Sequence, residues 1–164
     1  MIQFKSNVDQ ESLEDGLDYA YGEVMIKTKG VVLFQANVEL SHFWIIWIGL
    51  LENYLKKERK TIRGYYFTDF CLEKGKKDNI IFSIDADDSR LKLHPVQLNK
   101  KEFLGSSVRC MLTSYRELEK LAKKEAYQLA KEKGLYKIDE AEVQSYDRDI
   151  QHILDLQKRV EALR

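Results

Sequence analysis

The sequence predicts an α+β fold: a four- or five-stranded antiparallel sheet in the order ββαβββαα, with a buried helix on one face and a C-terminal αα-hairpin. Three observations predict it. The run Phe43-Trp44-Ile45-Ile46-Trp47-Ile48-Gly49-Leu50-Leu51 is apolar almost all the way round a helix, which marks a helix covered on most of its surface. It is too short for a bilayer span, which needs ~20 apolar residues. β-rich runs with period-two alternation flank it, separated by turn residues. Two long segments with apolar residues at helical spacing close the chain.

The elements follow in order. Residues 1–18 are acidic and weakly patterned, with a short strand at Ile2 and Phe4 and then a loop. Residues 23–28 and 31–40 are β-rich, and Val32, Phe34, Ala36, Val38 and Leu40 alternate onto one face. Lys29-Gly30 between them supplies a tight turn, so the pair reads as a hairpin. Ser41 stands as N-cap for the buried helix, which runs to about Lys57. Its stripe includes Phe43, Trp44, Trp47, Leu51 and Tyr54, leaving Ile45 and Ile46 off the stripe for a second layer or a partner to cover. Gly49 inside that helix costs about 1 kcal/mol relative to alanine, which points to a close backbone approach by a neighbour.

Residues 61–72 read as one long strand, and residues 74–79 as a turn. Residues 80–84 and 91–94 give two more strands, making an antiparallel meander. Asn99-Lys100-Lys101-Glu102 is a capping box that opens a helix ending at Gly134. At ~1.5 Å per residue such a helix is roughly 50 Å long, so it either kinks or projects. Asp139-Glu140-Ala141-Glu142 is a second capping box, and Val143, Tyr146, Ile150, Ile153, Gln157 and Val160 follow at coiled-coil spacing. Residues 1–134 form the sheet domain with its long helix. Residues 135–164 form a last helix, packed on that domain or used for a homodimer through residues 139–163.

Bulk properties narrow the function classes. The 27 basic and 27 acidic side chains balance, which disfavours general nucleic-acid or membrane-surface binding. The charge is uneven: residues 1–23 are net −5 and residues 56–77 net +5. The N-terminus lacks the apolar stretch of a signal peptide, and Cys71 and Cys110 show neither metal spacing nor disulfide density. A cytoplasmic protein without a cofactor is expected.

Four constellations could carry chemistry. Asp85-Ala86-Asp87-Asp88 offers clustered carboxylates, but Arg90 and Val96 stand where a calcium loop needs glycine and glutamate. A polar hairpin tip is expected there instead. Arg63-Gly64-Tyr65-Tyr66-Phe67-Thr68-Asp69-Phe70 places a basic residue, a glycine and aromatics along one predicted strand. It resembles the longer signature of RNA-recognition motifs, with Tyr66 where a small residue is expected and Thr68 in place of valine. That resemblance implies single-stranded RNA bound through Arg63, Tyr65 and Phe67. His42, His94 and His152 come with no nucleophile in a recognisable arrangement, so no catalytic residue is assigned; an enzyme of unrecognised type would use His94 with residues 85–88. Ile45, Ile46 and the heptad-like tail provide apolar surface that suits a protein partner.

The layout over residues 20–133 loosely resembles the small bacterial immunity-type proteins of toxin–immunity systems: an early hairpin, a tryptophan-bearing helix, a three-strand meander and a C-terminal helix. The resemblance implies a non-catalytic protein that neutralises a partner through charged surface, here Asp15 and Asp18 or Asp85, Asp87 and Asp88. Acidic surface suits a basic partner. The expected function is therefore a protein-binding module.

Overall fold

The structure is a computed structural model that describes residues 1–9, 11–12, 20–57, 59–134 and 141–163, with side chains omitted at 130, 141 and 142. Among the described residues there are two antiparallel sheets and three α-helices, an α+β architecture with C-terminal helices. The strands are shared between two sheets rather than gathered into one. The first holds β1 (Ile2–Ser6), β2 (Tyr21–Thr28) and β3 (Val31–Glu39) in that order. The second holds β4 (Thr61–Tyr65), β5 (Thr68–Lys74), β6 (Asn79–Ala86) and β7 (Leu93–Asn99), also in sequence order. The helix α1 (Leu40–Lys57) links the sheets, and α2 (Lys100–Glu132) and α3 (Ala141–Glu161) follow.

The Lys29-Gly30 turn closes the β2–β3 hairpin, with positive φ at both residues (50° and 79°) as a tight two-residue loop requires. A bulge at Ile26/Lys27 shifts the register so that Ile26 faces Phe34 and Lys27 faces Val32. The shift breaks the expected alternation: Leu33 and Phe34 are both buried, and Val32 is exposed. Ser41 is not the N-cap of α1. The helix starts one residue earlier, and the Leu40 N–H donates to the Ala20 carbonyl at 3.1 Å.

Residues 61–72 are two strands, not one. A two-residue turn, Tyr66-Phe67, separates β4 from β5, with Tyr65 and Thr68 paired across it. Tyr66 takes φ 50°, a left-handed conformation that costs a non-glycine residue of the order of 1–2 kcal/mol. The sequence reading missed this turn because neither residue is a turn former.

One core serves the whole fold. Phe43 on α1 lies 6.0 Å from Phe34 of the first sheet and 5.7 Å from Phe70 of the second. Trp47 lies 5.3 Å from Phe70 and 5.9 Å from Phe4. A buried indole N–H needs an acceptor. Trp44 donates to the Ser114 hydroxyl at 2.9 Å and Trp47 to that of Ser107, both serines being buried on α2. These two bonds pin α1 against α2.

Asn99 caps α2 by accepting from the Glu102 N–H at 3.0 Å, and Gly134 follows the helix with φ 70°. The Glu102 carboxylate does not close the capping box. It accepts from the Ile2 N–H at 3.4 Å, tying β1 to the helix instead. The helix runs unbroken over 33 residues and carries exposed Tyr127 and Leu129 near its end. Helix α3 packs back onto it. Val143, Ile153, Leu156 and Val160 are buried in the common core, and the His152 Nε2 meets the Glu52 carboxylate of α1. The apolar seam of this helix, expected either to pack on the domain or to serve a second copy, is thus largely covered within one chain. Asp139 and Glu140, the start of the second expected capping box, lie outside the described residues. No helix among the described residues is long and apolar enough to cross a membrane.

Candidate functional site

One end of the molecule gathers residues from four elements. Three of them meet at Glu39, the last residue of β3. Its N–H donates to the Tyr65 hydroxyl at 2.8 Å, and its carboxylate accepts from the Tyr66 hydroxyl at 3.3 Å. Tyr21 of β2 stands across the ladder from it. His42, in the first turn of α1, sets its ring 5.3 Å from Tyr65 and 5.4 Å from Tyr66. The two tyrosines meet edge to face at 4.7 Å.

The electrostatics follow from that geometry. Burial holds the Tyr65 phenol above its ordinary range, partly offset by the bond from the Glu39 N–H. For Tyr66 the Glu39 charge comes first: a nearby carboxylate disfavours a phenolate, so the hydroxyl stays protonated and donates. Both tyrosines are therefore neutral hydrogen-bonding groups at physiological pH.

The turn projects from this cluster. Tyr66 is 64% exposed and Phe67 77% exposed. The Phe67 carbonyl accepts from the Asp87 N–H at 3.1 Å, which fixes the acidic loop beside the aromatic tip. Arg63 lies along α1, where a Cβ added at Gly49 would stand 3.3 Å from the guanidinium carbon. The neighbour that approaches Gly49 is thus the Arg63 side chain rather than the backbone of another element. His42, Ile45 and Gly49 share one helix face, so Ile45 (57% exposed) sits between the Tyr65 and Arg63 contacts.

The structure therefore joins residues that the sequence assigned to different roles. Ile45, Arg63, Tyr65, Phe67 and Asp87 share one end; Ile46 is half-buried. Arg63, Tyr65 and Phe67 do not form a stacking face on a single strand. Phe70, also part of that motif, is fully buried. Asp88 is committed locally. It caps the 3₁₀ turn Ser89–Leu91, and Arg90 donates to it at 3.1 and 2.9 Å, which holds its carboxyl below the usual range. Asp85 is exposed, 3.9 Å from the Lys92 ammonium. Asp15 and Asp18 lie outside the described residues. Sequence reasoning missed Glu39 and the role of His42, because nothing near them in the chain shows that two hairpins converge there.

His94 is exposed on β7. Burial raises the Cys71 thiol and pushes Cys110 up to about 12, so both stay protonated and poorly nucleophilic. Among the described residues no three His, Cys, Asp or Glu side chains converge as a metal would require.

Comparison with known protein families, with curated proteins and with solved structures finds no match.

Proposed function

We propose that this is a cytoplasmic, non-catalytic protein-binding module that docks its partner through the Tyr66-Phe67 end. One observation carries the reading. Of the ten large hydrophobic side chains that are exposed among the described residues, four (Tyr21, Ile45, Tyr66 and Phe67) belong to this one end. Single exposed apolar residues are ordinary, but a contiguous group ringed by polar residues marks an interaction surface. Aromatic anchors are also the residues that dominate binding energy at interfaces. The bond to Glu39 and the His42 contact hold Tyr66 in place before binding, which lowers the entropy lost on docking.

The rim supports a partner with basic surface. Glu39, Asp85 and Asp87 flank the turn, and Asp88 is partly neutralised by Arg90. The layout resemblance to immunity-type proteins puts a basic protein toxin first among the partners to test. The test is affinity capture from the source organism with the wild-type chain and with Phe67→Ser, followed by pairwise binding to each purified candidate. The expected result is one partner whose affinity falls at least tenfold in the variant while the melting temperature is unchanged. A partner bound equally by both proteins would remove this surface from the account.

A further inference from the structure

A second surface lies along β1. Among the described residues this strand is an edge of the first sheet and pairs only with β2. The Asn7 N–H donates to the Glu23 carbonyl at 3.2 Å, across the same ladder. In an antiparallel pair such bonds fall on alternate residues, so Gln3 and Lys5 also turn their backbone groups to β2. Ile2, Phe4 and Ser6 must turn theirs away. At Ile2 those outward groups are already occupied: its N–H donates to Glu102 and its carbonyl accepts from the Ser106 hydroxyl at 3.3 Å. At Phe4 and Ser6 no partner is found among the described residues.

Beyond Ile2 a cleft of about 630 Å³ opens between β1 and α2, reaching Asn7 on one wall and Glu117 on the other. The helix wall from Ser106 to Glu117 rises about 16 Å. The strand wall from Ile2 to Asn7 rises about 17 Å, so the two run side by side for the length of roughly five extended residues. The Ser6 hydroxyl lines this cleft, is shielded from solvent, and has no hydrogen-bond partner among the described residues. The charges are ordered along it. Arg109 folds back onto Ser106 at 3.2 Å, near the Ile2 end. Glu23, whose carbonyl accepts from Asn7, and Glu117 stand at the other end, where the two carboxylates outnumber the one cation of the strand wall, Lys5.

We propose that this cleft binds an extended peptide segment of a partner protein, added to β1 as an antiparallel strand. Its backbone would bond the outward groups of Phe4 and Ser6, the mode by which sheet edges take up extended ligands. Antiparallel pairing sets its N-terminal part beside Glu23 and Glu117 and its C-terminal part beside Arg109. Charge complementarity then selects a basic residue followed about four positions later by an acidic one.

The probes are a fluorescein-labelled peptide with the central sequence Lys-Val-Thr-Val-Glu and its charge-reversed counterpart, Glu-Val-Thr-Val-Lys. Fluorescence anisotropy should show the first binding at least tenfold tighter than the second. Saturation should slow amide exchange at Phe4 and Ser6 and leave Lys5, already paired with β2, unchanged. Ser6→Pro removes one outward donor without removing a β2 ladder bond, as proline permits on a sheet edge. It should weaken binding at least tenfold with the melting temperature retained. Should Ser6→Pro fail to fold, the exchanged pair Arg109→Glu with Glu117→Lys serves instead, and should reverse the preference between the peptides. No binding of either peptide at millimolar concentration, or binding without protection of Phe4 and Ser6, would overturn the proposal. So would a free protein that self-associates with those two amides already protected, because the edge would then belong to a second copy.

Discussion

Phe67 and Phe70 are three residues apart and have opposite fates. Phe70 is wholly buried, within 5.7 Å of Phe34, Phe43 and Trp47 rings, whereas Phe67 is 77% exposed at the tip of a turn. The side chain is the same, so backbone geometry decides. On β5 the alternation of a strand directs Phe70 into the core. At the turn the chain reverses, and neither neighbour can cover Phe67. The lesson is that the aromatic content of residues 65–70 has two uses: one part builds the interior, and the other is presented to solvent by a strained turn held in place by Glu39.

Substitutions can break that contrast, beginning with the largest effect. Phe70→Ala should destabilise the fold by about 3–5 kcal/mol, the usual loss for a large buried aromatic, and Phe67→Ala should stay within about 0.5 kcal/mol of wild type. Denaturant melts of the two variants compare them directly. Next is Ser107→Ala, which leaves the buried Trp47 N–H without an acceptor. A loss of about 1–3 kcal/mol is expected, with the tryptophan fluorescence of the folded state altered. Third is Tyr66→Gly. It relieves a left-handed φ but loosens the unfolded chain and removes the bond to Glu39, so stability should change by less than about 1 kcal/mol. Partner affinity should nevertheless fall, separating the binding role of the turn from its folding role.

The smallest effect concerns pH. Burial raises the Asp149 carboxyl, although His152 and Arg148 partly counter it. A raised carboxyl disfavours its own ionised form in the folded state. Its cost is absent below the unfolded pKa of about 3.9 and grows as pH rises through the higher folded value. Asp149→Asn should therefore be slightly more stable than wild type at pH 7 and indistinguishable near pH 3, as read by thermal melts across that range.

Much of this was legible in the chain, for identifiable reasons. The α1 stripe, the Lys29-Gly30 turn, the Asn99 cap and the Gly134 terminus are each set by residues adjacent in sequence, so local pattern reveals them. The division into two sheets was not legible, because period-two alternation says which face is buried and not which strands are neighbours. Nor was the Tyr66-Phe67 turn, since a Tyr-Phe pair satisfies strand propensity and tertiary contacts override it. For the site, Ile45 was visible as an apolar residue off the stripe, and Arg63, Tyr65 and Phe67 as an aromatic–basic motif. Their convergence with Glu39 and His42 depends on contacts more than twenty residues apart.

The central claim is that Phe67 is displayed for a partner and not for folding. The most direct measurement is partner affinity by calorimetry against unfolding free energy for wild type and Phe67→Ser, in one buffer. The account predicts at least a tenfold loss of affinity with the unfolding free energy preserved within about 0.5 kcal/mol. Unchanged affinity, or a loss of stability large enough to explain the loss of binding, would contradict it.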